Sequence, residues 1–414
     1  MIDMNVMTRD TVNLAFANHA DFREVIKEVD KASEWKDYPL NKVVFSAATG
    51  VNASELYRGD ETALEDTVVH DFPLVAELDG KPVCMRAYLA KQVRQHHKDE
   101  ASILGVMADQ HDWDAYAAHI NAGRRFFKDD DVVQTMIRFG KVTGYFKQFN
   151  SAWNQTMQLD VLEGEFAKAF PNWGFASGKY QHEFTEAVYS LDSSIEDAKF
   201  ENDTVMAAYV NAWEQAGIEY NIRTAKPMVR FATGESGLTS IALTTFVLFP
   251  DGTKFYLGPS LSVKHRGNFD TVWGQFDGFT KQIAVMFQNG LKSIDSLCNL
   301  TVRFPYNAMT HALKNFRGLV SVASLEKLAE DFRVFFDPND KTQTCKAIDI
   351  YIAITELVNE VAEKQSPVRR LQTTETLGRL LVLDWSKFDQ SKAFRLRSCK
   401  DDNAQVGEDP FDKK

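Results

Sequence analysis

Between Asn221 and Gly267 the chain carries six strongly basic residues, Arg223, Lys226, Arg230, Lys254, Lys264 and Arg266, against two acidic ones, Glu235 and Asp251. His265 and the aromatic residues Phe231, Phe255 and Tyr256 stand in the same stretch. Cationic side chains neutralise phosphates and aromatic rings stack on unpaired bases, so this combination suits a groove for single-stranded nucleic acid. The competing reading is a basic face paired with acidic segments such as 186–203. Either way the excess is local, because the 414-residue chain has a formal net charge of −11. Such a charge disfavours non-specific adhesion to phosphate backbones or anionic membranes.

Other constellations support less chemistry. Gly234-Glu235-Ser236-Gly237 has a small residue two positions before the serine, but Leu238 stands two positions after it. A nucleophile elbow needs both, and it needs a helix to follow, whereas here a strand pattern follows. The stretch 96–119 is dense in ligand types: His96, His97, Asp99, Glu100, Asp109, His111, Asp112, Asp114 and His119. If 111 and 119 share a helix they lie two turns apart, yet no His-x-x-x-His pair occurs, and a solvated helical surface is the expectation. Arg124-Arg125-Phe126-Phe127-Lys128, with Arg138, Lys141, Tyr145, Phe146, Lys147 and Phe149 beyond it, reads as an amphipathic helix pair; Asp129, Asp130 and Asp131 would repel phosphate. The four cysteines, Cys84, Cys298, Cys345 and Cys399, are far apart and form no Cys-x-x-Cys pair. They suggest a reducing compartment, with neither a disulfide framework nor a zinc site. No metal and no cofactor is expected.

The elements that must position the basic residues read as α+β. Hydrophobic residues make up 44% of the chain and charged residues 25%, with 30 phenylalanines, enough for a large aromatic core. Phe22, Val25, Ile26 and Val29 have helical spacing, with Ala20-Asp21 as a candidate cap. Phe72–Leu78 and Pro82–Tyr88 flank Asp79-Gly80, the dipeptide of a type I′ hairpin turn. From His96 to Gln215 the pattern is mainly helical, with breaks near Gly123, Gly140 to Gly144 and Pro171 to Gly174. Met228–Thr233, Leu238–Phe249 and Thr253–His265 form a three-stranded antiparallel meander. Phe269, Val272, Phe276, Phe279, Ile283, Met286 and Phe287 then recur at helical spacing, predicting one long helix backing the sheet. A short strand at 300–304 and helices at 307–316, 321–336, 342–364 and 367–382 follow. The expected divisions are a mixed, mostly helical N-terminal region 1–219, the meander-plus-helix core 220–320, a helical C-terminal region 321–390 and an acidic tail 391–414. If the long helix covers the apolar face, the arginines and lysines of the meander fall on an open face.

Two stretches carry a resemblance. The first runs from Tyr220 through Arg230-Phe-Ala-Thr-Gly-Glu-Ser-Gly237 to Val263-Lys-His-Arg-Gly-Asn268 and the helix after it. The second is Ala347-Ile-Asp-Ile-Tyr-Ile-Ala-Ile-Thr-Glu356. Together they resemble a phage- and plasmid-borne family known as domain of unknown function 932. In that family a strand of the form Arg-x-x-Thr-x-x-x-Gly precedes a basic His motif and a later Tyr-x-x-x-Thr-Glu helix. The resemblance covers the C-terminal part of the chain; it implies a mobile-element origin and no activity. The tail, with Asp409, Pro410 and Phe411, is similar to the acidic tips of bacterial single-stranded DNA-binding proteins, which dock partner proteins through an aromatic anchor. In outline, a meander with a helix also resembles the RecT and Redβ annealing proteins, and a homo-oligomer would follow.

The expectation is thus a cytoplasmic, phage-encoded nucleic-acid-binding protein, with single-stranded DNA binding or annealing as its most concrete form. Arg223, Lys226, Arg230, Lys254, Lys264, His265 and Arg266 are its candidate contacts. The alternative is a non-enzymatic protein that binds a host protein complex, since acidic surfaces can occupy basic sites. The N-terminus lacks the basic and apolar runs of a secretory signal, and the longest uncharged stretch, Ser236 to Pro250, is too short to span a bilayer.

Overall fold

The structure is a computed structural model. It describes residues 6–7, 9, 12–47, 74–97, 102–146, 154–192, 194–195, 203–234, 239–264, 269–338, 340 and 342–397. After the short strand β1 (Leu14–Phe16), the Asn18 side chain accepts from the Asp21 N–H and opens helix α1 (His19–Lys31). Asn18 rather than Ala20-Asp21 is therefore the cap, and Phe22, Val25, Ile26 and Val29 are the buried stripe. The chain then enters a small module: β2 (Ser33–Pro39), β3 (Val44–Ala47), β4 (Leu74–Leu78), β5 (Lys81–Cys84), α2 (Ala90–His96), α3 (Ser102–Asp109), α4 (Trp113–Gly123), β6 (Val132–Arg138) and β7 (Lys141–Phe146). Its two antiparallel sheets, β2-β6-β7 and β3-β4-β5, are joined by a bridge from Met85 to Val142. They enclose a core of their own around Phe45, Leu74, Tyr116, Val133 and Tyr145. The Asp79-Gly80 turn forms as the dipeptide predicts, with φ of 53° and 71°.

The chain returns to α1 at helix α5 (Gln155–Ala169), where the Thr156 N–H donates to Asp30 at 2.7 Å. There follow the hairpin β8 (Gly174–Gln181) and β9 (Phe184–Ser190), helix α6 (Asp203–Gln215), and strands β10 (Lys226–Gly234), β11 (Thr239–Leu248), β12 (Lys254–Tyr256) and β13 (Leu261–Val263). The remainder is α7 (Phe269–Thr280), α8 (Ile283–Asn299), β14 (Thr301–Val302), α9 (Pro305–Leu313), α10 (Val322–Phe335), β15 (Cys345–Lys346), α11 (Ala347–Glu363) and α12 (Pro367–Leu381). The fold is α+β, and its main sheet is antiparallel in the order β1-β8-β9-β10-β11-β12, with β13 also paired to β11.

Strand alternation gives this sheet two apolar faces, and helices cover both. One face meets α1 through Phe22 on Phe175, α5 through Phe166 on Tyr189, α6 through Trp213 on Phe255 and α7 through Phe276 on Phe231. The other meets α12, whose Leu371 packs with Phe184, Ala232 and Ala242. Gly378 of α12 and Gly290 of α8 both press on the segment after β12, against Gly258 and Leu257 respectively.

Several expectations need correction. The meander is the outer part of a seven-stranded sheet, and its third strand is broken into β12 and β13. The long helix is two helices, α7 and α8, separated at Lys281-Gln282. The stretch from Val132 to Phe146 is a β-hairpin, not a helix pair; its turn at Phe139-Gly140 takes φ of 50° and 75°. The hairpin β8–β9 lies where a helical pattern was expected, and Glu186 of the acidic segment 186–203 is buried. The boundary at 219/220 falls inside the sheet, between the paired strands β9 and β10. The separate core is instead the module inserted between α1 and α5.

Candidate anion site between the sheet and the last helix

Alternation along β10 puts Lys226, Met228, Arg230 and Ala232 on one face. That face is the one α12 covers, so the open basic face does not form around Arg230. Its neighbours across the sheet are Thr244 on β11, Glu186 and Val188 on β9, and Lys254 and Tyr256 on β12. From above, α12 contributes Arg370, Leu371 and Thr374.

Arg230 is 4% exposed. Its Nη2 donates to Thr374 Oγ1 at 2.8 Å and to Thr244 Oγ1 at 3.4 Å, and the guanidinium lies 5.5 Å from the Tyr256 ring centre. Its Nε is buried without an acceptor. The Thr244 hydroxyl is 2.6 Å from that of Ser260. Arg370 Nη2 meets both Glu186 oxygens at 3.2 Å, and this is the cluster's ion pair. Burial pushes the Lys254 ammonium below its ordinary lysine range; Glu363 and Glu186 oppose that shift, while Arg230 and Arg370 add to it. Burial likewise raises the Tyr256 hydroxyl. The cluster therefore holds three cations, Arg230, Lys254 and Arg370, with Glu186 paired to Arg370 and Glu363 also acting on Lys254.

A buried guanidinium without a carboxylate is costly, on the order of several kcal/mol before compensation. Tyr256 and the threonine hydroxyls offset part of that cost. What the arrangement can do is accept an anion; it pairs no nucleophile with a base.

The other expected contacts are scattered. Arg223 sits in a single turn, Ile222–Thr224, and donates to Glu214 and Asn211 on α6. Lys226 is exposed at the start of β10, level with Leu248 and Lys254 on the same face. Lys264 is exposed just past β13, at the opposite end of the β10–β11 pair. His265, Arg266, Asp409, Pro410 and Phe411 lie outside the described residues, as do residues 235–238 of the Gly234-Glu-Ser-Gly stretch. The structure thus unites Arg230 with Lys254 and adds Glu186, Arg370 and Thr374. One signal for Arg370 was present: Arg369-Arg370 opens a helix with no acidic residue in its first turn, where the dipole disfavours cations.

No group of three metal-ligating side chains occurs among the described residues. His111 has φ 55° in the turn before Asp112, which caps α4, so it shares no helix face with His119. His97 is buried against Tyr145, Phe45 and Phe127, with its Nε2 2.9 Å from the Tyr145 hydroxyl. No helix among the described residues is long and apolar enough to cross a membrane. Comparison with protein-family models, with curated proteins and with solved structures finds no match to this chain.

Proposed function

We propose that the chain is a phage-encoded protein that binds single-stranded nucleic acid through phosphate contacts at the seam between the sheet and α12. The observation that supports this reading is the cation-rich cluster of Arg230, Lys254 and Arg370, extended to the surface by Lys226 at the same level of the sheet. The resemblance to the phage- and plasmid-borne family accords with it. Fluorescence anisotropy of a labelled oligothymidine, titrated with protein at rising salt, is the test. Binding that weakens steeply with salt is expected, and Lys226→Glu with Lys254→Glu abolishes it. No binding at micromolar protein and low salt ends the reading. Mass measured by light scattering with and without the oligonucleotide reports whether rings or filaments assemble.

A second reading, a partner protein from the host, is favoured by one surface. Val334 and Phe335 at the end of α10 are 83% and 73% exposed. They continue the stripe Ser324, Leu328 and Asp331 that lines an open groove of about 550 Å³ between α10 and α11. Recovery of one stoichiometric protein from nuclease-treated lysate, lost in Phe335→Ser, distinguishes this reading from the first.

A further inference from the structure

We infer that the cluster beneath α12 is a seat for a single phosphate group, and that Glu186 holds the seat closed when the group is absent. This rests on the nucleic-acid reading and deepens it. Three observations carry it. First, Arg230 is 4% exposed, yet its Nε has no acceptor, and both of its hydrogen bonds leave from Nη2 to neutral hydroxyls. Buried polar groups are almost always satisfied, so this orphan donor sets out the place of a missing acceptor. Second, the groups around it are phosphate partners by type: a second arginine, a lysine, and the hydroxyls of Thr244, Ser260 and Thr374. Third, Glu186 meets Arg370 with both oxygens at 3.2 Å, longer than a charge-assisted bond of about 2.7–2.9 Å. Glu186 also has an alternative partner, because Lys179 stands directly across from it on β8. A phosphate accepting from Arg230, Arg370 and Lys254 would displace the Glu186 carboxylate toward Lys179. Entry requires the opening turn of α12 to give way, since the Arg230 Nε is closed off from solvent in this structure.

The test uses the full chain in thermal melts with inorganic phosphate, against sodium chloride at equal ionic strength. Phosphate is expected to raise Tm by about 2 °C more than chloride. Arg230→Met should remove that difference without lowering the melt in chloride, because replacing a buried charge by an apolar group of similar size is often neutral. If Arg230→Met does not fold, Arg230→Lys, which keeps the charge and loses the planar fork, and Lys254→Met serve in its place. Glu186→Gln should enlarge the phosphate effect, with apparent affinity rising about fivefold, whereas a purely structural ion pair would lower stability and leave the phosphate dependence unmoved. A phosphate effect equal to chloride's, or one that persists in Arg230→Met, overturns the seat. Oligonucleotide anisotropy separates the two readings. Oligonucleotide binding without a phosphate effect sinks the seat alone, and a phosphate effect without oligonucleotide binding supports the seat while the nucleic-acid reading fails.

Discussion

Gly378→Ala should destabilise the protein although it improves helix propensity. A Cβ at 378 would overlap the carbonyl oxygen of Gly258 and approach its carbon to 2.8 Å. The obstacle is backbone, and Gly258 itself holds φ +116°, a conformation that leaves the loop little freedom to retreat. The neighbouring Leu257 has little room either, because Gly290 of α8 lies against it; a Cβ there would stand 2.5 Å from Leu257 Cβ and 2.7 Å from its oxygen. Helix propensity favours alanine by about 1 kcal/mol, while overpacking costs about 1–3 kcal/mol and more against fixed backbone. A net loss of about 2 kcal/mol is expected, read as a lower urea midpoint at unchanged slope. Limited proteolysis should then cut first near α12. A midpoint equal to that of the parent would mean that α12 does not pack on the 256–260 segment, and the closed cluster around Arg230 would lose its lid.

Gly164→Ala, the same substitution on the exposed side of α5 with open space around it, should stabilise by about 0.5–1 kcal/mol, and a destabilised variant would contradict that surface. Burial holds the His97 imidazole down to about 4 and lowers that of His182 well below its usual 6.5. Both stay neutral in the fold and charge in the unfolded chain, so stability is full above pH 6.5 and falls as pH drops toward 4. His97 contributes about 3 kcal/mol at most, and His97→Gln should flatten part of that fall in urea titrations. Cys84, Cys298 and Cys345 are buried, and burial pushes the Cys298 and Cys345 thiols up to about 12. Ellman's reagent should therefore label at most one of the four thiols quickly in the native protein and all four in urea; two fast thiols would refute that burial.

Local signals carried much of the fold. The stripe of α1, the Asp79-Gly80 turn and the strand patterns at 228–233 and 238–249 each follow from spacing a few residues long. The faces of β10 were legible too, since alternation alone groups Met228, Arg230 and Ala232. What alternation cannot give is the layer above. The partner of Arg230 is Thr374, far along the chain, so an arginine assigned to an open face is buried under a helix read correctly as a helix. The missed hairpins have specific causes. At 182–183 the turn between β8 and β9 is His-Glu, with no glycine to announce it. At 139–140 glycine is present, but the left-handed residue before it is phenylalanine. The Asp129 to Asp131 run, read only as repelling phosphate, instead closes the turn before β6: Asp131 accepts from the Lys128 N–H and Asp129 from Asn41.

The hydrogen bond from Thr156 to Asp30 closes the gap across which the small module enters and leaves. The insertion bears on the order of events during synthesis, because β1 pairs with a strand beyond it. Strand β1 must wait for β8, its neighbour in the sheet, until the whole module has emerged. Closing so long a loop is entropically slow. If the module folds first, on its own core, its entry strand β2 and exit strand β7 are held on either side of β6, and the effective chain from β1 to β8 shortens by most of the module's length. The inserted piece then acts as a splint for a sheet that does not contain it. A cavity cut into the module, at Tyr145 for example, should slow the assembly of the main sheet while leaving that sheet's own packing untouched.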